Sequence, residues 1–276
     1  MNRHERRKAK RFENKAQHFV AKGYTKAWCD PTRAPQEEPF VWVMDRDGPT
    51  EYKPAKRRAP KNIFSEPDMY TIRSADDPEA RDLRLEHGLG RIEAAFCAVR
   101  RDYVEARRPL GPEQRAPLYA FAAAAQWRTP GAREHIREEW QSALDKMKAM
   151  QAAAENWTPE RRAREERLSA IRDDDAPTMD MEDVEKLVAA PLQLTLPAYM
   201  KSLVPLYARM KLSIICTEKA PGFITGDEPV VWFDPEACKR PPFFQSPGLG
   251  YPTIEVTMPI SPTRMMLISH MEIPEY

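Results

Sequence analysis

No stretch of the 276-residue chain approaches the roughly 18 uninterrupted apolar residues that a membrane-crossing helix needs, and this argues against a helical membrane protein. The opening MNRHERRKAKRF is basic but has no apolar segment behind it, so it does not read as a secretory signal, and cytoplasm is the expected location. Only four cysteines occur, Cys29, Cys97, Cys216 and Cys238, widely separated, with no CxxC pair and no closely spaced histidine. That spacing excludes a zinc ribbon and leaves scattered reduced thiols. The GxSxG elbow and HExxH are missing, as are the P-loop, GxGxxG and any kinase signature. Their absence sets aside the familiar serine and zinc hydrolases and the nucleotide-driven and dinucleotide-dependent enzymes. Cys29 lies near His18 in sequence but lacks the wider Cys/His context of a thiol enzyme. No internal repeat appears.

What is present is charge. Charged residues make up 31% of the chain, whose net charge is only +1. The mean hydropathy is −0.67. Residues 1–26 carry nine Lys/Arg against Glu5 and Glu13, an excess of seven, so the rest of the chain carries six net negative charges. This pattern reads as a basic arm over 1–16 on a mildly acidic body. Such an arm either contacts nucleic-acid phosphates without reading sequence or is a solvated tail. A second basic cluster at Lys53, Lys56, Arg57, Arg58 and Lys61 extends the same surface on the first reading.

Periodicity gives the fold class. HFVAKGYTKAWCDP places apolar residues at helical spacing and predicts a short buried helix ended by Asp30-Pro31. FVWVMDRDG followed by EYKPAKRRAPKNIF predicts a small hairpin with a proline-limited edge. Between Asp77 and about Arg108, Leu85, Leu89, Ile92, Phe96, Val99 and Tyr103 step by four and three, which makes one apolar stripe on a long helix. Gly111-Pro112 breaks the chain before a small-residue helix that Thr129-Pro130 stops, and another helix follows over 131–155. The charged stretch over about 150–185 predicts an exposed helical insertion with a DDDAP joint. After a helix near 196–210 the texture turns β-rich in KLSIICTE, FITGDEPVVWF, TIEVTMPIS and RMMLISH. The expectation is an α+β protein: a helix-rich core with a small mixed or antiparallel sheet built from the N-terminal hairpin and the C-terminal strands, forming one intertwined domain over 17–276.

Four segments in order, QHFVAKGYTKAW, LGRIEAAF, QWRTP, and GFITGDEPVVWF followed by MPISP, resemble the bacterial family named domain of unknown function 4238. The resemblance spans about residues 17–270. It implies that Gln17 and His18, Glu93, Gln126 and Arg128, Asp227 and Pro229, and Ser261-Pro262 are the positions to watch. Two departures stand out. HFVAKGY lacks the family's proline shortly after the histidine, and Gly226-Asp227-Glu228-Pro229 replaces the usual Ser-Asp-Asn-Pro, adding negative charge beside Asp227. The resemblance carries no reaction with it.

The residue types themselves suggest one. His18, Glu93, Arg128 and Asp227 are what a metal-assisted hydrolase needs: carboxylates and an imidazole to hold a divalent ion such as Mg²⁺ or Mn²⁺ and activate water, and a guanidinium to neutralise a phosphoryl group. Glu93 and Asp227 are the expected metal ligands, and Gln17, Gln126, Lys53, Arg57 and Arg58 the expected substrate contacts. Each has a plainer alternative. Glu93 pairs with Arg128 as a structural ion pair, Asp227 closes an Asx-turn, and His18 is satisfied by Gln17 or a backbone carbonyl. The leading expectation is a hydrolase acting on a phosphorylated or nucleic-acid substrate, and the alternative is a non-catalytic nucleic-acid-binding or protein-interaction module.

Overall fold

The computed structural model describes residues 16–48, 50–51, 53–73, 77, 80–169 and 179–271. The basic arm before residue 16 and the DDDAP joint lie outside the described residues. The protein is α+β. Short elements come first: β1 (Ala16–His18), α1 (Lys22–Thr25), β2 (Val41–Val43), β3 (Lys56–Arg58) and β4 (Ser65–Pro67). The helical body follows: α2 (Arg84–Val99), α3 (Pro112–Trp127), α4 (Pro130–Glu155), α5 (Pro159–Ser169), α6 (Met181–Ala189) and α7 (Pro191–Ala208). Strands β5 (Lys211–Cys216), β6 (Val231–Phe233), β7 (Glu255–Ser261) and β8 (Arg264–Ser269) close the described chain.

The apolar stripe expected on the long helix is the core side of α2: Leu89, Phe96 and Val99 are buried. Phe96 stacks on Phe121 of α3 with ring centroids 3.9 Å apart. Ala122, Ala123, Ala124 and Ala125 are all buried. With so little side chain in the way, α7 packs closely along α3. A second cluster joins Leu89, Tyr70, Ile136, Leu192 and Leu196, flanked by Trp127 stacked on Tyr199 at 4.2 Å.

The hairpin of β2 and β3 forms as the sequence suggests, antiparallel with Trp42 opposite Arg57. It does not join the C-terminal strands. Those form their own antiparallel sheet in the order β5-β8-β7-β6, and β1 pairs separately with β4. The C-terminal sheet is built within its own third of the chain, its buried face formed by Val256, Met258 and Ile260 alternating inward along β7. The N-terminal region also departs from the expected helix. Gln17 and His18 belong to β1, and the helical turn starts only at Lys22. Pairing of His18 with Ser65 holds this segment extended, overriding its helical spacing.

Motif residues tie the two ends of the chain together. Tyr24 donates its hydroxyl to the Pro259 carbonyl at 2.6 Å and meets the Thr225 hydroxyl at 2.6 Å. Trp28 Nε1 donates to the Phe223 carbonyl at 3.1 Å. Gly222, at φ +70°, lies so close to the Pro262 carbonyl oxygen that a Cβ there would sit 2.6 Å from it, so only glycine fits. Phe223 N–H can therefore donate to that same carbonyl at 2.8 Å.

Candidate active site

Beside its apolar stripe, α2 carries a second face at spacing four, three, four: Glu86, Gly90, Glu93 and Cys97. This face, with Leu89 and Ala94, forms one wall of a pocket of about 390 Å³. The opposite wall is His18 from β1, Lys22 from the start of α1, and Arg128. Gly90 keeps the middle of the wall open, since a Cβ there would meet nothing within 4 Å.

Arg128 reaches the pocket because QWRTP is a helix junction. Trp127 ends α3, Arg128 leaves the helix at φ −91° and ψ 6°, and Thr129 caps α4 by accepting the Ala132 N–H at 3.1 Å. The residue is only 4% exposed. Its guanidinium donates through Nη2 to the His18 carbonyl and lies 5.6 Å from the Tyr70 ring centroid, while its own carbonyl accepts the Tyr70 hydroxyl at 2.6 Å. Nε is buried without a partner. No carboxylate forms an ion pair with it among the described residues, so this buried cation is not neutralised by contact.

Glu93 is held from the other side. Its Oε1 accepts the Gly23 N–H at 2.5 Å. Arg100, in the π-helical turn Arg100–Val104 that continues α2, donates to the Gly23 and Tyr24 carbonyls at 3.4 and 3.2 Å. The wall and the N-terminal segment are thus locked together by charge-assisted bonds to the backbone on both sides of Gly23.

Burial and neighbours set the protonation states. Burial holds the His18 imidazole below its ordinary pKa, and Lys22 and Arg128 act in the same direction; a backbone hydrogen bond to Lys61 and the charge of Glu93 oppose them. His18 Nε2 is buried with no partner. Burial favours the neutral imidazole, which keeps one ring nitrogen as an acceptor. The Glu86 carboxyl is pushed up, by burial first and by Glu93 among its neighbours, with Arg128 and His87 pulling the other way. Its Oε2 is also buried and unpartnered. Burial likewise raises the Cys97 thiol, which keeps it protonated and unreactive. The site therefore offers an acceptor at His18, a protonatable carboxyl at Glu86, a second carboxylate at Glu93 and an unpaired guanidinium.

His18, Glu93 and Arg128, distant in sequence, meet at this pocket. Asp227 is exposed on the loop before β6, is not among the lining residues and makes no Asx-turn hydrogen bond. Glu93 and Asp227 thus do not share this wall as a donor set, and among the described residues no three His, Cys, Asp or Glu side chains group as ligands for an ion. The expected Glu93–Arg128 ion pair is not formed either. Gln17 is buried and both ends of its amide are used: Oε1 accepts the Tyr70 N–H at 2.5 Å and Nε2 donates to Thr71 Oγ1 at 3.1 Å. That is a structural splint. Gln126 lies outside the pocket lining, its Oε1 buried without a partner.

The Lys53–Lys61 cluster lies on the hairpin and is offset by acids. Lys53 pairs with Asp45 at 3.1 Å, Arg57 with Glu37 at 3.7 Å, and Lys61 with Glu38. Arg57 also packs over Phe40 and Trp42 at 4.5 and 5.1 Å, while Arg58 is exposed. The sequence reading missed Glu86, Lys22 and Cys97. The signal for two of them was the four-three-four spacing through Glu93, a polar stripe parallel to the apolar one.

Fold and site together define an α+β protein that draws one pocket from its N-terminal strand, a long two-faced helix and a helix junction. The chain belongs to the family described as protein of unknown function DUF4238, whose model matches residues 16–276. No curated protein and no solved structure matches it.

Proposed function

We propose that the protein is a hydrolase whose pocket binds the phosphoryl group of a small phosphorylated molecule at Arg128 and activates water at His18. The observation that carries this reading is the buried Arg128 guanidinium, without an ion-pair partner among the described residues and with Nε unpartnered, beside an imidazole that burial keeps neutral and whose Nε2 is unpartnered. A buried cation is costly unless an anion compensates it, and a pocket of this size takes a small molecule rather than a duplex. In the step envisaged, the water oxygen attacks phosphorus while His18 Nε2 takes one of its protons. The P–O ester bond breaks with its electron pair going to the leaving oxygen, which takes a proton from solvent. The His18 imidazolium then releases its proton, so that ester and water become alcohol and phosphate. Glu93, fixed by Gly23, orients the wall opposite His18. Lys22 adds positive charge at the exposed rim.

Purified protein assayed on phosphomonoesters, phosphodiesters and nucleotides, with and without Mg²⁺ or Mn²⁺, tests the reading. Release of phosphate or nucleotide that falls about a hundredfold in His18→Ala is expected. A folded wild-type protein inert on every substrate with either ion would overturn it.

A further inference from the structure

Arg128 and Glu86 present an arrangement that an ordinary structural pair would not. A glutamate and an arginine on facing walls of one pocket, close enough for the guanidinium to act on the carboxyl, usually close into a salt bridge. Here they do not. Each leaves a buried polar atom without a partner, Nε of Arg128 and Oε2 of Glu86. Arg128 Nη2 donates to the His18 carbonyl, and the rest of the guanidinium, Nε included, is left for another acceptor. Buried polar atoms are rarely left unsatisfied, and two of them on residues that line one pocket point to an occupant that engages both side chains.

We infer that Glu86 acts as a neutral carboxylic acid which, together with the Arg128 guanidinium, seats a tetrahedral oxyanion, each donating a hydrogen bond to it. This rests on the reading of the pocket as a phosphoryl site and adds a substrate-binding residue to it. An ionised Glu86 would repel an anion, whereas its acid form supplies the second donor. Burial and the neighbouring Glu93 both favour that form, against Arg128 and His87. The arrangement leaves His18 Nε2 uncommitted and selects a ligand with acceptors on at least two oxygens. It also makes binding depend on the Glu86 proton, so affinity falls as pH rises through the elevated pKa of this carboxyl.

Sulfate is the probe, because its charge does not change across the range, with phosphate in a second arm and acetate as a planar carboxylate control. Binding is measured by calorimetry on the full chain at about pH 5.5 and about pH 8. The groups facing Glu86 and the anion are Arg128, Glu93, His87, His18 and Lys22. His18 also gains charge at acid pH, so wild type is compared with Glu86→Gln, whose amide donates at every pH, and with Glu86→Ala. Wild type is expected to lose about tenfold or more in sulfate affinity between the two pH values, and Glu86→Gln to lose clearly less. Glu86→Ala is expected to bind about tenfold more weakly than wild type at the lower pH. Equal affinity in Glu86→Ala, a profile as steep in Glu86→Gln as in wild type, preference for acetate, or no binding of sulfate and phosphate by folded protein would each overturn the inference. Sulfate binding with this pattern but no turnover would sink only the hydrolytic reading. Turnover with no dependence on Glu86 would sink only this one.

Discussion

The Gly23 N–H donates to Glu93 Oε1 at 2.5 Å, and the space above Gly23 is so narrow that a Cβ there would lie 2.7 Å from the same oxygen and 2.8 Å from Cys97 Sγ. A glycine is therefore what lets the N-terminal segment close against α2, and the pocket exists because the two surfaces are held at that distance.

Gly23→Ala is expected to destabilise the fold by about 1–3 kcal/mol, the usual cost of overpacking, read from denaturant midpoints. Adding Cys97→Ala removes one of the two clashing atoms and should recover part of the loss. Equal stability of Gly23→Ala and wild type would show that the contact is not tight.

Gly90 predicts the opposite behaviour. It sits within α2 with nothing near its missing Cβ, so Gly90→Ala should stabilise by about 0.5–1 kcal/mol through helix propensity alone. Gly90→Leu projects into the pocket and should leave the melting temperature near wild type while abolishing oxyanion binding. Retained binding in a folded Gly90→Leu would show that ligands do not use this pocket.

Gln17 separates splint from substrate contact. Gln17→Leu leaves the buried Tyr70 N–H without its acceptor and removes the donor to Thr71 Oγ1, which keeps its own bond to Asp68. A loss of about 1–3 kcal/mol in stability is expected, with the affinity for sulfate changed less than threefold in protein that remains folded. A large fall in affinity at unchanged stability would instead make Gln17 a ligand contact.

The two titrating groups of the pocket act on stability with opposite signs. Glu86 has a folded pKa above its ordinary 4.5, so the folded state binds the extra proton and the stability this supplies is lost as pH rises through the folded value. His18 has a folded pKa below its ordinary 6.5, so the unfolded chain binds the extra proton and stability is lost as pH falls from 6.5 toward the folded value. Denaturant titrations across this range should therefore show Glu86→Gln gaining on wild type toward neutral pH and converging with it toward pH 4.5. His18→Asn should flatten the acid limb. A constant offset between Glu86→Gln and wild type at every pH would mean that the carboxyl is not perturbed.

Much of the architecture was legible because periodicity records burial. The four-and-three stepping of Leu85 to Val99 marks α2, the Gly111-Pro112 and Thr129-Pro130 breaks mark the ends of α3, and the alternation in TIEVTMPIS marks β7. The N-terminal region was misjudged where pairing competes with propensity: QHFVA has helical spacing, yet β4 supplies backbone partners for Ala16 to His18. His18, Glu93 and Arg128 were recognisable as residue types that do chemistry, but Asp227 was equally so, and its exposure depends on a loop whose course no local pattern encodes. Glu86 was passed over because a glutamate on a polar helix face looks like solvent-facing charge until something covers it.

The sequence by itself determined the helices, the strand-rich C-terminal third, the lack of a long apolar helix and the presence of a two-faced α2, because each is written in the spacing of neighbouring side chains. Tertiary structure alone decided that the polar face of α2 meets β1 and the α3–α4 junction, that Arg128 is buried without an ion-pair partner, and that Asp227 stays out of the pocket. Those outcomes depend on which distant surfaces pack together. Packing is set by the fit of whole elements, such as the absent side chain at Gly23 and the alanines of α3, and not by any property of the polar residues that the packing brings into contact.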